Sequence, residues 1–296
     1  MNKKFWRMLP ALLLVLILVF SLAACQERDE VTPEEPPATP PVVSGDGPVF
    51  ANPLDLPTSP GRAPTRLAAF SERARELHGI NPDTVGWLYV PNTSLDDVVM
   101  WYPGTPENPD RNVFYLRRDF YRRYSWEGMY FADFRTQWGD FLRENISRNI
   151  VIYGHSMEDD PDGPLFSQFK RWQDEEWARN NPHVFFSTLE EDMVWEIFSV
   201  KFTNWYVPYN TPNPDDELFQ FIIDDAKARS LWIYDIEVTI EDTIITFSTC
   251  TYNIVPTFPN IYRYVVMARL VERNATLEET ASLTRNPNPV DARQRP

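Results

Sequence analysis

Apolar and polar positions along this chain change pattern several times, and each change marks an element. Leu9 to Ala24 is an apolar run broken by Pro10 and Ser21, with Lys3, Lys4 and Arg7 ahead of it. That order, charged and then apolar, is the pattern of an export signal, and the run is short for a membrane-spanning helix. Residues 26–64 lose the apolar pattern: ten prolines fall between Pro33 and Pro64 among Glu, Asp and Thr. Such a stretch cannot bury enough surface to offset its ordering entropy, so it reads as an extended tether. From Thr65, a candidate cap, the period becomes helical, with Leu67, Phe70, Ala74 and Leu77 near one face and Gly79 as the stop. Strand-like segments then follow at Val85–Val90, Val98–Tyr102, Gly128–Phe134, Asn149–Tyr153, Met193–Tyr206, Ile236–Ile240, Thr243–Thr249 and Tyr262–Val271. Helical patterns interrupt them at about Pro164–Arg179 and Pro214–Ala228; Asp215, Asp216 and Glu217 open the second, where acids suit the helix dipole. Short strands separated by turns predict a mainly β domain over 65–272, a closed or nearly closed barrel with peripheral helices. The polar tail, 273–296, shows no apolar period and is expected to be disordered.

Composition narrows the partners. The net charge is −15, and no basic stripe is present to neutralise phosphates, which excludes nucleic acid. Aromatic residues make up 14% of the chain, enough for a substantial core. There are two cysteines, and Cys25 lies in the N-terminal segment, so Cys250 has no disulfide partner in the folded part.

Cys250 ends the strand pattern from Thr243. Alternation sets Ile244, Thr246, Ser248 and Cys250 on one face and Ile245, Phe247 and Thr249 on the other. A hydroxyl-bearing face fits a groove floor that ends in a nucleophile, and Ser248 and Thr249, the two residues before Cys250, are candidate substrate contacts. A buried structural thiol fits the same pattern. His155 follows Ile150-Val151-Ile152-Tyr153-Gly154, where a strand opens into a loop, and loops at strand ends carry function. The other histidines read differently: His78 ends the first helix, and His183 follows Asn181-Pro182, a turn signal. Zinc held by His155, His183 and Cys250 is disfavoured because no pair has the usual short ligand spacing. The acidic run 158–163 reads as a solvated loop with at most weak calcium character. Arg263 and Arg269 share a face of the last strand, and strand physics does not choose between them.

At these residues a resemblance emerges. Thr246-Phe247-Ser248-Thr249-Cys250 resembles the sortase signature T-L-x-T-C, Tyr153-Gly154-His155 resembles the segment carrying the sortase histidine, and Arg263 to Leu270 resembles the strand carrying the arginine. His155 and Cys250 are 95 positions apart, a spacing similar to class B sortases. Residues 83–87, 114–120 and 128–135 resemble class B landmarks, and the helix at Pro214–Ala228 is similar to the class B insertion. The resemblance runs over about residues 66 to 271. It departs from the family at Thr251 and Tyr252, where class B members often carry an acid, so the group orienting His155 is left open. It departs again in the 13 positions from Cys250 to Arg263, which include Pro256 and Pro259.

The resemblance implies a sortase-type β-barrel and a cysteine transpeptidase with Cys250, His155 and Arg263 as its catalytic residues. It implies no cofactor and no metal. The implied partners are secreted proteins with a C-terminal sorting signal, and an acceptor amine on a peptidoglycan precursor or pilin. A cysteine hydrolase and an unreactive barrel kept as a binding module are the alternatives. Leu22-Ala23-Ala24-Cys25 resembles the lipobox of bacterial lipoproteins, which implies lipidation at Cys25; an uncleaved signal anchor is the alternative. Either leaves the domain on the extracytoplasmic face of the membrane.

Overall fold

Period-two alternation becomes a closed sheet because each strand has one apolar face to bury. The computed structural model describes residues 68–109, 111–157, 159–254 and 261–296. The signal and lipobox at 1–25 with Cys25, the tether at 26–64, the Thr65 cap, Leu67, Pro256 and Pro259 lie outside the described residues. Among the described residues no helix is long and apolar enough to cross a membrane.

The strands are β1 (Thr84–Tyr89), β2 (Asp96–Met100), β3 (Tyr130–Ala132), β4 (Asn149–Tyr153), β5 (His183–Thr188), β6 (Val194–Asn204), β7 (Trp232–Tyr234), β8 (Ile244–Cys250), β9 (Tyr262–Leu270) and β10 (Leu283–Arg285). Eight of them close a barrel in the order β1-β2-β3-β4-β8-β9-β6-β5, and β7 pairs with β10. The β2–β3 and β4–β8 contacts are parallel and the other barrel contacts antiparallel. The helices are α1 (Ala68–His78), α2 (Glu175–Asn180) and α3 (Asp216–Arg229).

Register sorts the residues of β8 between two apolar clusters. Ile245 and Phe247 lie opposite Ile150 and Ile152 on one side and Ala268 and Val266 on the other, all in one core. Ile244 faces the other way, into a second cluster with Val265, Met267 and the Phe219, Ile222, Ile223 and Ala226 face of α3. Fully burying one such side chain contributes about 1.5–3 kcal/mol, so both faces of β8 are strongly held. A third cluster sets Ala74 of α1 against Trp87, Met100 and Phe131.

Several elements differ from the sequence expectation. The helix expected over Pro164–Arg179 is a 3-10 run, Phe166–Gln173, followed by α2, which Asp174 caps through the Trp177 N–H. Phe166, Phe169 and Trp172 are spaced by three, the 3-10 period, so they share a face. Phe169 stacks on Phe247 at 4.9 Å, with Phe166 edge-on to the same ring at 6.0 Å. His183 starts strand β5 instead of lying in a turn. Ile236–Ile240 is not a strand: Val238 is buried over the α3 cluster with Ile236 and Ile240 packed beside it, so its alternation records packing without a ladder. The tail expected to be disordered is ordered. It supplies β10, and Asn204 Nδ2 donates to the carbonyls of Ala292 (2.6 Å) and Gln294 (3.0 Å), while Arg229 donates to that of Asp291 (2.7 Å). Buried polar side chains of the domain satisfy the tail's backbone, and nothing in the tail's own composition signals that.

Candidate active site

Six of the seven residues of β8 are buried, and Cys250, the last, is the one that emerges. Its thiol is free. On one flank β9 sets Arg263 directly opposite Cys250. On the other, β4 runs parallel with Tyr153 level with Ser248. Two residues further on each chain, His155 comes level with Cys250. Gly154 N donates to Ser248 O (3.4 Å) and Thr249 Oγ1 donates to Gly154 O (2.7 Å), which ties the two ends together. Neighbouring strands lie about 4.8 Å apart, so three residues far apart in sequence meet at one end of three adjacent strands. Gly154 is required there by close approach, because a Cβ would sit 2.7 Å from the Phe166 ring.

His155 is half-buried, and its Nε2 lies 2.9 Å from the carbonyl of Leu116. A carbonyl only accepts, so Nε2 carries the hydrogen and Nδ1 is the nitrogen left for proton exchange. Burial pulls the His155 pKa below its ordinary value; the Leu116 acceptor opposes this and the Arg117 charge adds to it. The resting imidazole is therefore neutral near pH 7. A backbone carbonyl thus orients the ring where no acid follows the cysteine. Leu116 is placed by a 3-10 turn, Tyr115–Arg117, which Tyr115 anchors by donating to Asp83 (2.6 Å). Gly128, at φ +64°, passes so close to the Leu116 carbonyl that a Cβ would lie 2.5 Å from it.

Arg263 donates to its neighbour's carbonyl, Tyr262 O, at 2.8 Å, and its guanidinium stands 5.8 Å from the centroid of the Trp205 ring. Arg269 is opposite Ile244, at the far end of β8, and pairs with Glu196 at 3.0 Å. His183 is opposite Glu196 and belongs to that far end, so the zinc trio does not converge. Among the described residues no group of three His, Cys, Asp or Glu stands ready for a metal ion.

Two expectations need correction. Ser248 and Thr249, candidate substrate contacts, are buried, at 2% and 3% exposure. The Ser248 hydroxyl bonds to Tyr209 OH (2.9 Å), and that of Thr249 to Gly154 O, so both belong to the frame of the site. The hydroxyl face of β8 is no open groove floor: Thr246 donates to Asn149 (2.7 Å) and Ile244 lies under α3. The acidic loop, too, is more than a solvated run. Asp159 makes an ion pair with Lys170, whose side chain is fully buried, while Asp162 pairs with Arg171. Sequence reasoning missed Lys170 because a polar residue inside an aromatic run reads as the solvent face of a helix.

A thiol at a barrel-strand end, flanked by an imidazole and a guanidinium on the two neighbouring strands, is the equipment of a cysteine acyl-transfer enzyme. No family model matches the sequence. The chain is 27% identical over 182 residues to sortase B of Listeria monocytogenes, covering 60% of this chain and 67% of that protein. Its structure is similar to a Staphylococcus aureus sortase B–substrate complex, with TM-score 0.58, 25% identity, and coverage of 69% of this chain and 87% of that one. A sortase B complexed with triglycine gives TM-score 0.57, 26% identity and coverage of 69% and 87%. These likenesses support a sortase family, class B-like, and indicate a sortase cysteine transpeptidase.

Proposed function

We propose that this sortase is membrane-anchored, cleaves a C-terminal sorting signal on secreted proteins and transfers the acyl group to a cell-wall or pilin amine. The register that brings His155, Cys250 and Arg263 to one barrel end is the observation that carries the reading. Cys250 Sγ attacks the scissile carbonyl, and Arg263, the permanent cation across the strand pair, stabilises the developing oxyanion. As Sγ attacks, His155 Nδ1 takes the Cys250 thiol proton and passes it to the leaving amine, and the thioester remains on Cys250. The incoming amine loses its proton to the same nitrogen as it displaces the thiol. A neutral resting His155 leaves Arg263 as the cation that meets the substrate. The triglycine complex of a related sortase supports a primary amine as acceptor.

The experiment is turnover of a sorting-signal peptide library by the full chain, with and without triglycine. Trapped acyl-Cys250 and an amine-dependent product support the reading. Release to water at the same rate with or without amine identifies a hydrolase, and an acyl-enzyme formed by Cys250→Ala overturns the nucleophile. Anchoring rests on the apolar run and lipobox before the proline-rich tether. Mass spectrometry of membrane-extracted protein is expected to find a lipidated Cys25 at the N-terminus, and an intact Met1 on all molecules would refute lipidation.

A further inference from the structure

Behind the nucleophile lies a charged pair that the mechanism above does not use. The Lys170 side chain is fully buried. Its Nζ reaches the Cys250 carbonyl at 3.2 Å, the Ser156 hydroxyl at 2.6 Å and the Asp159 carboxylate. Asp159 Oδ2 in turn accepts from the Tyr252 N–H at 2.6 Å and from Thr251 Oγ1 at 3.2 Å. One ion pair therefore holds the chain at Cys250 and at both residues that follow it. We propose that Lys170 and Asp159 are positioning residues for the sortase reaction: together they fix the turn that aims Cys250 and keep an ammonium beside it.

The physics favours a functional role over packing. Burying an ammonium carries a desolvation cost that an apolar residue of the same length would avoid, and such pairs often add little net stability. The position is also specific. The 3-10 run points Phe166, Phe169 and Trp172 into the apolar core and brings Lys170 to the end of β8. Asp159 reaches Tyr252 from a loop, 93 positions away in sequence. Burial draws the Lys170 pKa down to about 8, and a negative charge on Cys250 opposes that. The charged and titratable groups around the turn are Arg263 on β9, neutral His155 beyond β4, Arg117, Tyr209, Tyr252, and the Asp159–Lys170 pair.

The test uses the full chain carrying Lys170→Met, Lys170→Arg or Asp159→Asn. Two quantities are read: iodoacetamide alkylation of Cys250 against pH, followed on its own peptide by mass spectrometry, and kcat and KM for transpeptidation. Lys170→Met is expected to slow alkylation at pH 7 by about tenfold and lower kcat by about tenfold or more, with KM nearly unchanged. Its alkylation profile should move to higher pH, and Lys170→Arg should bring the profile back. Asp159→Asn keeps an acceptor oxygen and loses the charge, so it should fall between parent and Lys170→Met. Folded Lys170→Met and Asp159→Asn proteins with the parent's profile and kcat would overturn the proposal. If Lys170→Met does not fold, the near-isosteric Asp159→Asn decides alone. The inference rests on the transpeptidase reading, but alkylation needs no sorting peptide. A parent without turnover would therefore sink the proposed substrate class and leave the positioning test standing.

Discussion

Arg263 and Arg269 lie on one face of β9, and only one stands near the thiol. Ladder register puts Arg263 opposite Cys250 and Arg269 opposite Ile244. Six residues of strand span about 20 Å at about 3.3 Å per residue, beyond the reach of an arginine side chain. Arg263→Ala removes a charged donor from the transition state, which costs roughly 3–4 kcal/mol of barrier, or about a hundred- to a thousandfold in rate. The stability cost should be small: the contact with Trp205 is a partly exposed cation–π pair of about 0.5–1 kcal/mol. Arg263→Lys keeps the charge and loses the planar fork, so it should recover part of the rate. Arg269→Ala breaks a partly exposed ion pair with Glu196 and should cost about 0.2–1 kcal/mol of stability, with turnover nearly unchanged. The assay is steady-state transfer of a fluorogenic sorting peptide to triglycine, with thermal melts confirming that each variant is folded. Near-parental kcat/KM in Arg263→Ala together with collapse in Arg269→Ala would refute the reasoning.

Three further outcomes follow from the structure. Gly154→Ala forces a Cβ to 2.7 Å from the Phe166 ring; it should cost about 1–3 kcal/mol by overpacking and reduce turnover by displacing His155, as read by chemical denaturation alongside kinetics. Asp225→Ala strands Lys201 and Arg229, whose side chains are 0% and 3% exposed and which it holds at 2.8 and 2.7 Å; a loss of about 3–5 kcal/mol in urea unfolding is expected, and an unchanged midpoint would contradict it. His155 and His183 both have pKa values lowered by burial, so the unfolded chain binds protons first. Their contribution to stability is therefore full above the ordinary histidine pKa and is lost as pH falls through it. Melting temperature should drop from pH 7.5 to 5.5, less steeply in His155→Gln, and a flat profile would count against the assignment.

The sequence determined most of the barrel, because period-two alternation needs only local sterics and one buried face per strand, and seven of the eight expected strand segments have a counterpart in the barrel. Cys250 and His155 became candidates for a related reason: each sits where an apolar run ends, and strand ends are where side chains leave the core; Arg263 was singled out only by the sortase resemblance. What the chain could not show was anything set by a distant partner. His183 followed a turn signal yet begins β5, because β1 and β6 offer that strand edges on both sides. Ile236–Ile240 alternates like a strand yet forms no ladder, since its apolar residues pack over α3. The polar tail is held by Asn204 and Arg229, about 60 to 90 residues upstream. Arg263 and Arg269 are equivalent by alternation, and ladder register places only Arg263 opposite Cys250. Asp159 read as part of a solvated loop and Lys170 gave no signal, and only the folded chain makes them one pair beside Cys250.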